Sequence, residues 1–171
     1  IEEPRKYLTP NFINNPHLGI GDLQKLLIRM IVEVVMNYKK QYPKLELVGL
    51  SFPASITSDG RVNQACTIWG NGGKNFPLLK TLTEALPKYR WTVSNDLTAA
   101  AERYANIPKY QQIDFFEVIT VSSGIGNKVY DVKNKKVVLD RGGIGGEIGH
   151  IKIDHSPDAP LCDCGGRGHM G

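Results

Sequence analysis

The chain has 171 residues, 41% of them hydrophobic and 22% charged, with a formal net charge of +4. That balance fits a globular domain with its own core, or a portion of a larger enzyme. No apolar run reaches the length of a membrane span, and the Lys and Arg are spread along the chain rather than gathered among aromatics. Three Cys argue against a secreted disulfide framework. The expectation is a soluble protein of the reducing cytoplasm, with no membrane and no nucleic-acid partner.

Residues 1–20 are rich in Pro and Asn without sustained periodicity and read as a connecting segment. From Asp22 to Tyr38 the positions Leu23, Leu26, Leu27, Met30, Ile31, Val34, Val35 and Tyr38 recur at helical spacing, which predicts a helix with one buried face. Leu45 to Leu50 is a short apolar run, predicted to be a buried strand of a parallel sheet. SFPASITSDGR then turns the chain. Ser58, Asp59 and Gly60 supply hairpin chemistry, while Ser51 to Ser55 fall at the strand's carboxyl end, where open α/β sheets bind ligands; a plain loop fits the same letters.

Cys66 reads as a buried bystander. The segment WGNGGKN, Trp69 to Asn75, joins glycines to a lysine but lacks the G-x-x-x-x-G-K-[ST] spacing and follows no strand, so it is not a Walker phosphate loop. Pro77 suits a helix's first turn, and a helix is predicted over Phe76 to Leu86. Arg90 to Val93 reads as a strand leading into Ser94, Asn95 and Asp96, followed by an alanine-rich helix over Leu97 to Tyr104. Asn or Asp at such a junction is commonly an N-cap.

Phe115 to Val121, Asn127 to Val132 and Val137 to Asp140 read as three strands, joined by an SSGIG turn and a lysine turn. Backbone N–H groups in a glycine turn can approach an anion without a Cβ in the way, so Ser122, Ser123, Gly124, Ile125 and Gly126 could cradle a phosphate; a generic hairpin is the alternative. The order of elements predicts an α/β domain with a mixed sheet.

Gly142 to Gly171 is too rich in glycine to pack a core, yet it carries Glu147, His150, Cys162, Cys164 and His169. Thiolate and imidazole are the donors Zn²⁺ prefers, and two Cys thiolates with two neutral His balance its charge, so partial burial costs little. His150, Cys162, Cys164 and His169 are therefore candidate ligands of a small tetrahedral site. Ordinary thiols beside surface histidines remain the alternative on chemistry alone.

GGEIGH followed by C-x-C-G-G-R-G, together with VSNDLTAAAERY and the SSGIG turn, resembles the ROK family (repressor, open reading frame, kinase), whose kinases phosphorylate sugars with ATP. The resemblance covers about Leu45 to His169. It implies the actin-like ATPase fold of hexokinases: α/β, a mixed sheet with flanking helices, and a cleft between two lobes. The chain would divide into the connecting segment 1–20, a kinase-type lobe 21–141, and a sugar-contact and zinc-binding loop 142–171.

By the same resemblance Asp96 is the catalytic base, and Asn95, Asp96, Glu147 and His150 contact a sugar or polyol. Ser122, Ser123, Gly124 and Gly126 would hold the phosphates of ATP with Mg²⁺, and His150, Cys162, Cys164 and His169 would bind a structural Zn²⁺. A homodimer is compatible with this picture. His169 stands where the family usually has Cys and keeps a zinc-competent ligand. Gly171 stands where family sugar kinases usually place a Glu that grips sugar hydroxyls, so the implied acceptor is a polyol other than glucose, such as a cyclitol or a modified hexose.

The D-x-G-G-T loop of full-length family kinases is not among these letters, so the resemblance implies a portion of a longer enzyme, inactive alone. Competing readings are a sugar-responsive regulator of the same family, a zinc-stabilised structural fragment, and a zinc hydrolase, which would need an open coordination position.

Overall fold

The apolar stripe after Gly19 forms α1 (Ile20–Gln41), which starts before Asp22 and runs past Tyr38. Asp22 in its first turn and Lys39 and Lys40 in its last complement the helix dipole, which is why both ends extend beyond the hydrophobic repeat. The structure is a computed structural model describing residues 4–70, 72–122, 124–140 and 144–171. Asn71 of the WGNGGKN segment, Ser123 of the glycine turn and residues 141–143 lie outside the described residues.

β1 (Leu47–Phe52) and β2 (Arg90–Asn95) pair in parallel, from Leu47 opposite Arg90 to Phe52 opposite Asn95. A parallel pair needs a crossover. Here the crossover contains α2 (Cys66–Trp69) and α3 (Leu78–Ala85). Leu23 and Leu27 of α1, Phe52, Val62, Ile68, Trp69, Leu78 and Leu82 close into one apolar cluster, with the Trp69 ring edge-on to Phe76 at 5.3 Å. The expected hairpin at Ser58 to Gly60 is present: Ile56 bridges Val62, and Thr57 N–H donates to the Arg61 carbonyl at 2.9 Å.

Two expectations need correction here. β1 begins at Leu47 and alternates exposed and half-buried residues, with Leu47 itself 55% exposed, so it is not buried on both faces among the described residues. α2 went unpredicted because one helical turn is too short to display a period.

α4 (Asp96–Ala105) follows β2 without a loop. β3 (Phe115–Val121), β4 (Ile125–Asp131) and β5 (Lys136–Val137) form an antiparallel sheet in that order. Ala101 of α4, Tyr130 and Val137 make a second cluster with Phe116, Val118 and Val132, in which Phe116 stacks on Tyr130 at 5.3 Å. α4 touches strands of both sheets and so joins the two clusters.

Parallel and antiparallel pairings both occur, as expected for this fold class; among the described residues they are divided between two sheets. β4 starts at Ile125, not Asn127, because Ile125 pairs with Val121 and leaves residues 122–124 as the connection. β5 ends at Val137, short of the predicted Asp140. The Asp131 carboxylate closes the lysine turn by accepting from Asn134 Nδ2 at 2.7 Å and Asn134 N–H at 2.8 Å, and these bonds hold its carboxyl below the usual range. No helix among the described residues is long and apolar enough to cross a membrane.

Leu82 is fully buried between α1 and the parallel pair. Leu82→Ala removes its packing and leaves a cavity, so the denaturant midpoint is expected to fall by the equivalent of about 2–5 kcal/mol with an unchanged m-value.

Candidate active site

The carboxyl ends of the parallel strands open into a cleft of about 610 Å³. Its walls come from the exit of β1 at Pro53 to Ser55, the β2–α4 junction at Asn95 to Leu97, the start of β4, and the last loop through Glu147, His150, Cys164 and Gly171. Asn95, Asp96, Ser122, Gly124, Gly126, Glu147 and His150 all line it. Of the expected contact residues only Ser123 is left out, because it is not described.

Asn95 does two things at the junction. Its Oδ1 accepts from the N–H of Leu97 at 3.0 Å and of Thr98 at 3.3 Å, capping α4, while its Nδ2 donates to the Ala54 carbonyl at 3.0 Å and to Asp96 Oδ1 at 2.8 Å. Asn95 thus caps α4 and also lines the cleft. Asp96 Oδ1 also accepts from Leu97 N–H at 2.9 Å, so one carboxylate oxygen is held in place. The other makes no hydrogen bond among the described residues, and the side chain is exposed to the cleft.

Glu147 sits at φ 72°, ψ 28°, in the left-handed region, immediately before the 3₁₀ turn Ile148–His150. For a residue with a Cβ this costs about 1–2 kcal/mol. Several contacts hold it there. Ser55 Oγ donates to Glu147 Oε1 at 3.2 Å, Lys128 Nζ lies 3.8 Å from the same oxygen, and His150 Nε2 lies 3.6 Å from Oε2. Ile148 N–H donates to Asn127 Oδ1 at 3.2 Å, and Lys128 Nζ donates to the Gly145 carbonyl.

Asn127 and Lys128 were missed from the sequence. Both are buried polar residues in β4, and the available signal was their position inside a strand that also supplies Tyr130 to the core. Cys66 was also misjudged: it is half-buried, lines the cleft and accepts from Gln64 Nε2 at 3.1 Å.

The glycine turn is tight, as its letters imply. Ser122 N–H donates to the Gly124 carbonyl at 2.9 Å, and Gly126 lies within β4 opposite Thr120. A Cβ on Gly126 would run into the Leu97 side chain, so at least part of the reason for glycine there is the close approach of α4 to β4.

The last loop is ordered by short antiparallel bridges, Lys152 with His169 and Leu161 with Arg167. They gather His150, Cys162, Cys164 and His169 so that one donor atom from each lies within 4.8 Å of the others. Cys164 Sγ is 3.3 Å from His169 Nδ1, and Cys162 Sγ is 3.7 Å from His150 Nδ1. Tetrahedral ligands at zinc's usual bond lengths lie about 3.3–3.8 Å apart, a spacing that these two Cys–His pairs have, so the donor set fits that ion in type, with the four donors gathered within 4.8 Å. Burial pushes the Cys162 thiol up, and a bound cation would offset that penalty on its thiolate.

The chain belongs to the ROK family, whose family model matches residues 15–170. It is 44% identical over 136 residues to a C(7)-cyclitol 7-kinase of Streptomyces hygroscopicus subsp. limoneus, covering 80% of this chain and 36% of that protein. It is 29% identical over 167 residues to a 2-epi-5-epi-valiolone 7-kinase of Actinoplanes sp., covering 95% of this chain and 45% of that one. Among solved structures, a ROK family glucokinase from Streptomyces griseus in complex with glucose and AMPPNP superposes with a TM-score of 0.69 at 25% identity, over 85% of this chain and 44% of that one. The fold is therefore that of the actin-like ATPase sugar kinases, and the chain spans less than half the length of these relatives.

Asn95→Ala removes the α4 cap and the tie to Ala54. Chemical denaturation is expected to show a loss of about 1–2 kcal/mol, whatever the protein's activity.

Proposed function

We propose that the protein containing this chain transfers the γ-phosphoryl group of ATP to a hydroxyl of a C7-cyclitol or a closely similar polyol. The reading is supported by the convergence of the Asp96 carboxylate, Ser122 and Gly124, and the Glu147–His150 pair on one cleft. The acceptor class is supported by the 44% identity to the cyclitol kinase and by Gly171, which offers the cleft no acidic side chain.

In this mechanism Asp96 takes the proton of the attacking hydroxyl as its oxygen bonds to the γ-phosphorus and the bond to the β–γ bridging oxygen breaks, releasing ADP. Asn95 and the Leu97 N–H keep Oδ1 of the base in place, so alignment supplies much of the acceleration. Glu147 and His150 hold other hydroxyls of the ring. Ser122 and Gly124, on the cleft wall, would face the phosphates, whose charge Mg²⁺ would neutralise when bound.

A Zn²⁺ held by His150, Cys162, Cys164 and His169 would be structural, since protein donors fill all four positions and none is left for water. His150 suits both tasks: Nδ1 lies on the cysteine side of its ring and Nε2 on the Glu147 side.

Asp96→Asn in the full-length protein is expected to lower turnover at least ~10²-fold with little loss of folding, read by coupled ADP release on C7-cyclitols, N-acetylmannosamine and glucose. Near-normal turnover by that variant removes Asp96 as the base. Binding of an acceptor with no ADP release by the unaltered protein would favour the sugar-responsive regulator. For the metal, elemental analysis should find one zinc per chain, and Cys164→Ser should lose it together with several degrees of melting temperature; full stability without metal would refute the zinc assignment.

A further inference from the structure

Lys128 is a cation where a strand normally carries an apolar residue. Its side chain is 6% exposed, and it forms part of the wall between the cleft and an adjoining cavity of about 180 Å³. A buried ammonium is retained only when partners offset its lost hydration. Among the described residues it has two: the Gly145 carbonyl, to which it donates, and Glu147 Oε1 at 3.8 Å.

The second of these is an ion pair and too long for a hydrogen bond. An ammonium carries three donors, so Lys128 keeps N–H capacity beyond the Gly145 bond. The 3.8 Å separation is one that a single oxygen can bridge, lying about 2.8 Å from each atom. Ammonium only donates and carboxylate only accepts. A group between them must therefore accept on one side and donate on the other, which describes a hydroxyl and excludes a methylene or an ether oxygen.

We propose that Lys128 determines acceptor specificity: together with Glu147 it holds one hydroxyl of the polyol, Lys128 Nζ donating an N–H to the hydroxyl oxygen while that hydroxyl donates its hydrogen to Glu147 Oε1. The assignment rests on reading the cleft as the polyol site. Ser55 strengthens it, because its hydroxyl already occupies one lone pair of Glu147 Oε1 and narrows where the acceptor can bond. The left-handed backbone of Glu147 fixes the carboxylate end of the pair, and the Gly145 carbonyl fixes the ammonium end.

The test is equilibrium binding of 2-epi-5-epi-valiolone and its monodeoxy analogues to the full-length protein by titration calorimetry, with unaltered protein, Lys128→Met and Lys128→Arg. Met has a similar length and no charge, and a thermal melt of each variant checks folding. Lys128→Met is expected to weaken binding of the parent polyol at least about tenfold, with partial recovery in Lys128→Arg. One monodeoxy analogue should bind the unaltered protein about as weakly as the parent binds Lys128→Met, and should lose no more in that variant. Equal losses for every analogue, unchanged affinity for the parent, or no binding of the polyol to unaltered protein overturns the proposal. Binding that follows the expected pattern without ADP release would sink the kinase reading while sustaining the role of Lys128.

Discussion

One primary amide ties the architecture together. Asn95 stands where β2 becomes α4, and its two ends bond to different elements: the oxygen to the first N–H groups of the helix, the nitrogen to the main chain leaving β1 and to Asp96. Those backbone donors have no partner within the helix itself, so a side chain must supply one or water must reach them. The ladder already ends both strands at one level, Phe52 opposite Asn95, and because Asn95 supplies the cap and bonds Ala54, α4 leaves at a fixed position beside the end of β1. The cleft is the space this junction leaves open.

α4 then carries the constraint across the molecule. Ala101 is fully buried against Tyr130 and Val137, while the helix start is anchored to the parallel pair, so the apolar clusters on either side are not independent. Among its described residues the last loop has no comparable core and is held by other means: main-chain bridges, the polar side chains of Asn127 and Lys128, and a histidine–cysteine cluster suited to an ion. This division suits a binding wall. Large apolar side chains would fill the cleft, whereas backbone and polar ties leave it open to a hydroxylated ligand.

Much of this was legible in the letters, for reasons that differ from place to place. α1 could be read because its apolar repeat persists over many turns, and α4 because alanine-rich sequence follows a capping Asn. α2 could not, being a single turn, nor could the start of β4, where SSGIG reads as a turn up to Gly126 although Ile125 already pairs with Val121. Asp96, Glu147 and His150, which line the cleft, stand out in the letters because they sit in the VSND and GGEIGH motifs. Asn127 and Lys128 belong to no such motif. Their meaning comes from a loop that follows them by some twenty positions and folds back on them, a relation that no local pattern encodes.

At Gly171 the main chain of β4 leaves no room for a side chain. A Cβ at that position would stand 2.8 Å from the Ile125 main-chain nitrogen and 3.2 Å from its Cβ. Any larger side chain must therefore push β4 aside before it can reach into the cavity. An acid placed at 171 therefore calls for a compensating change beside Ile125, and the single exchange would meet a steric barrier first.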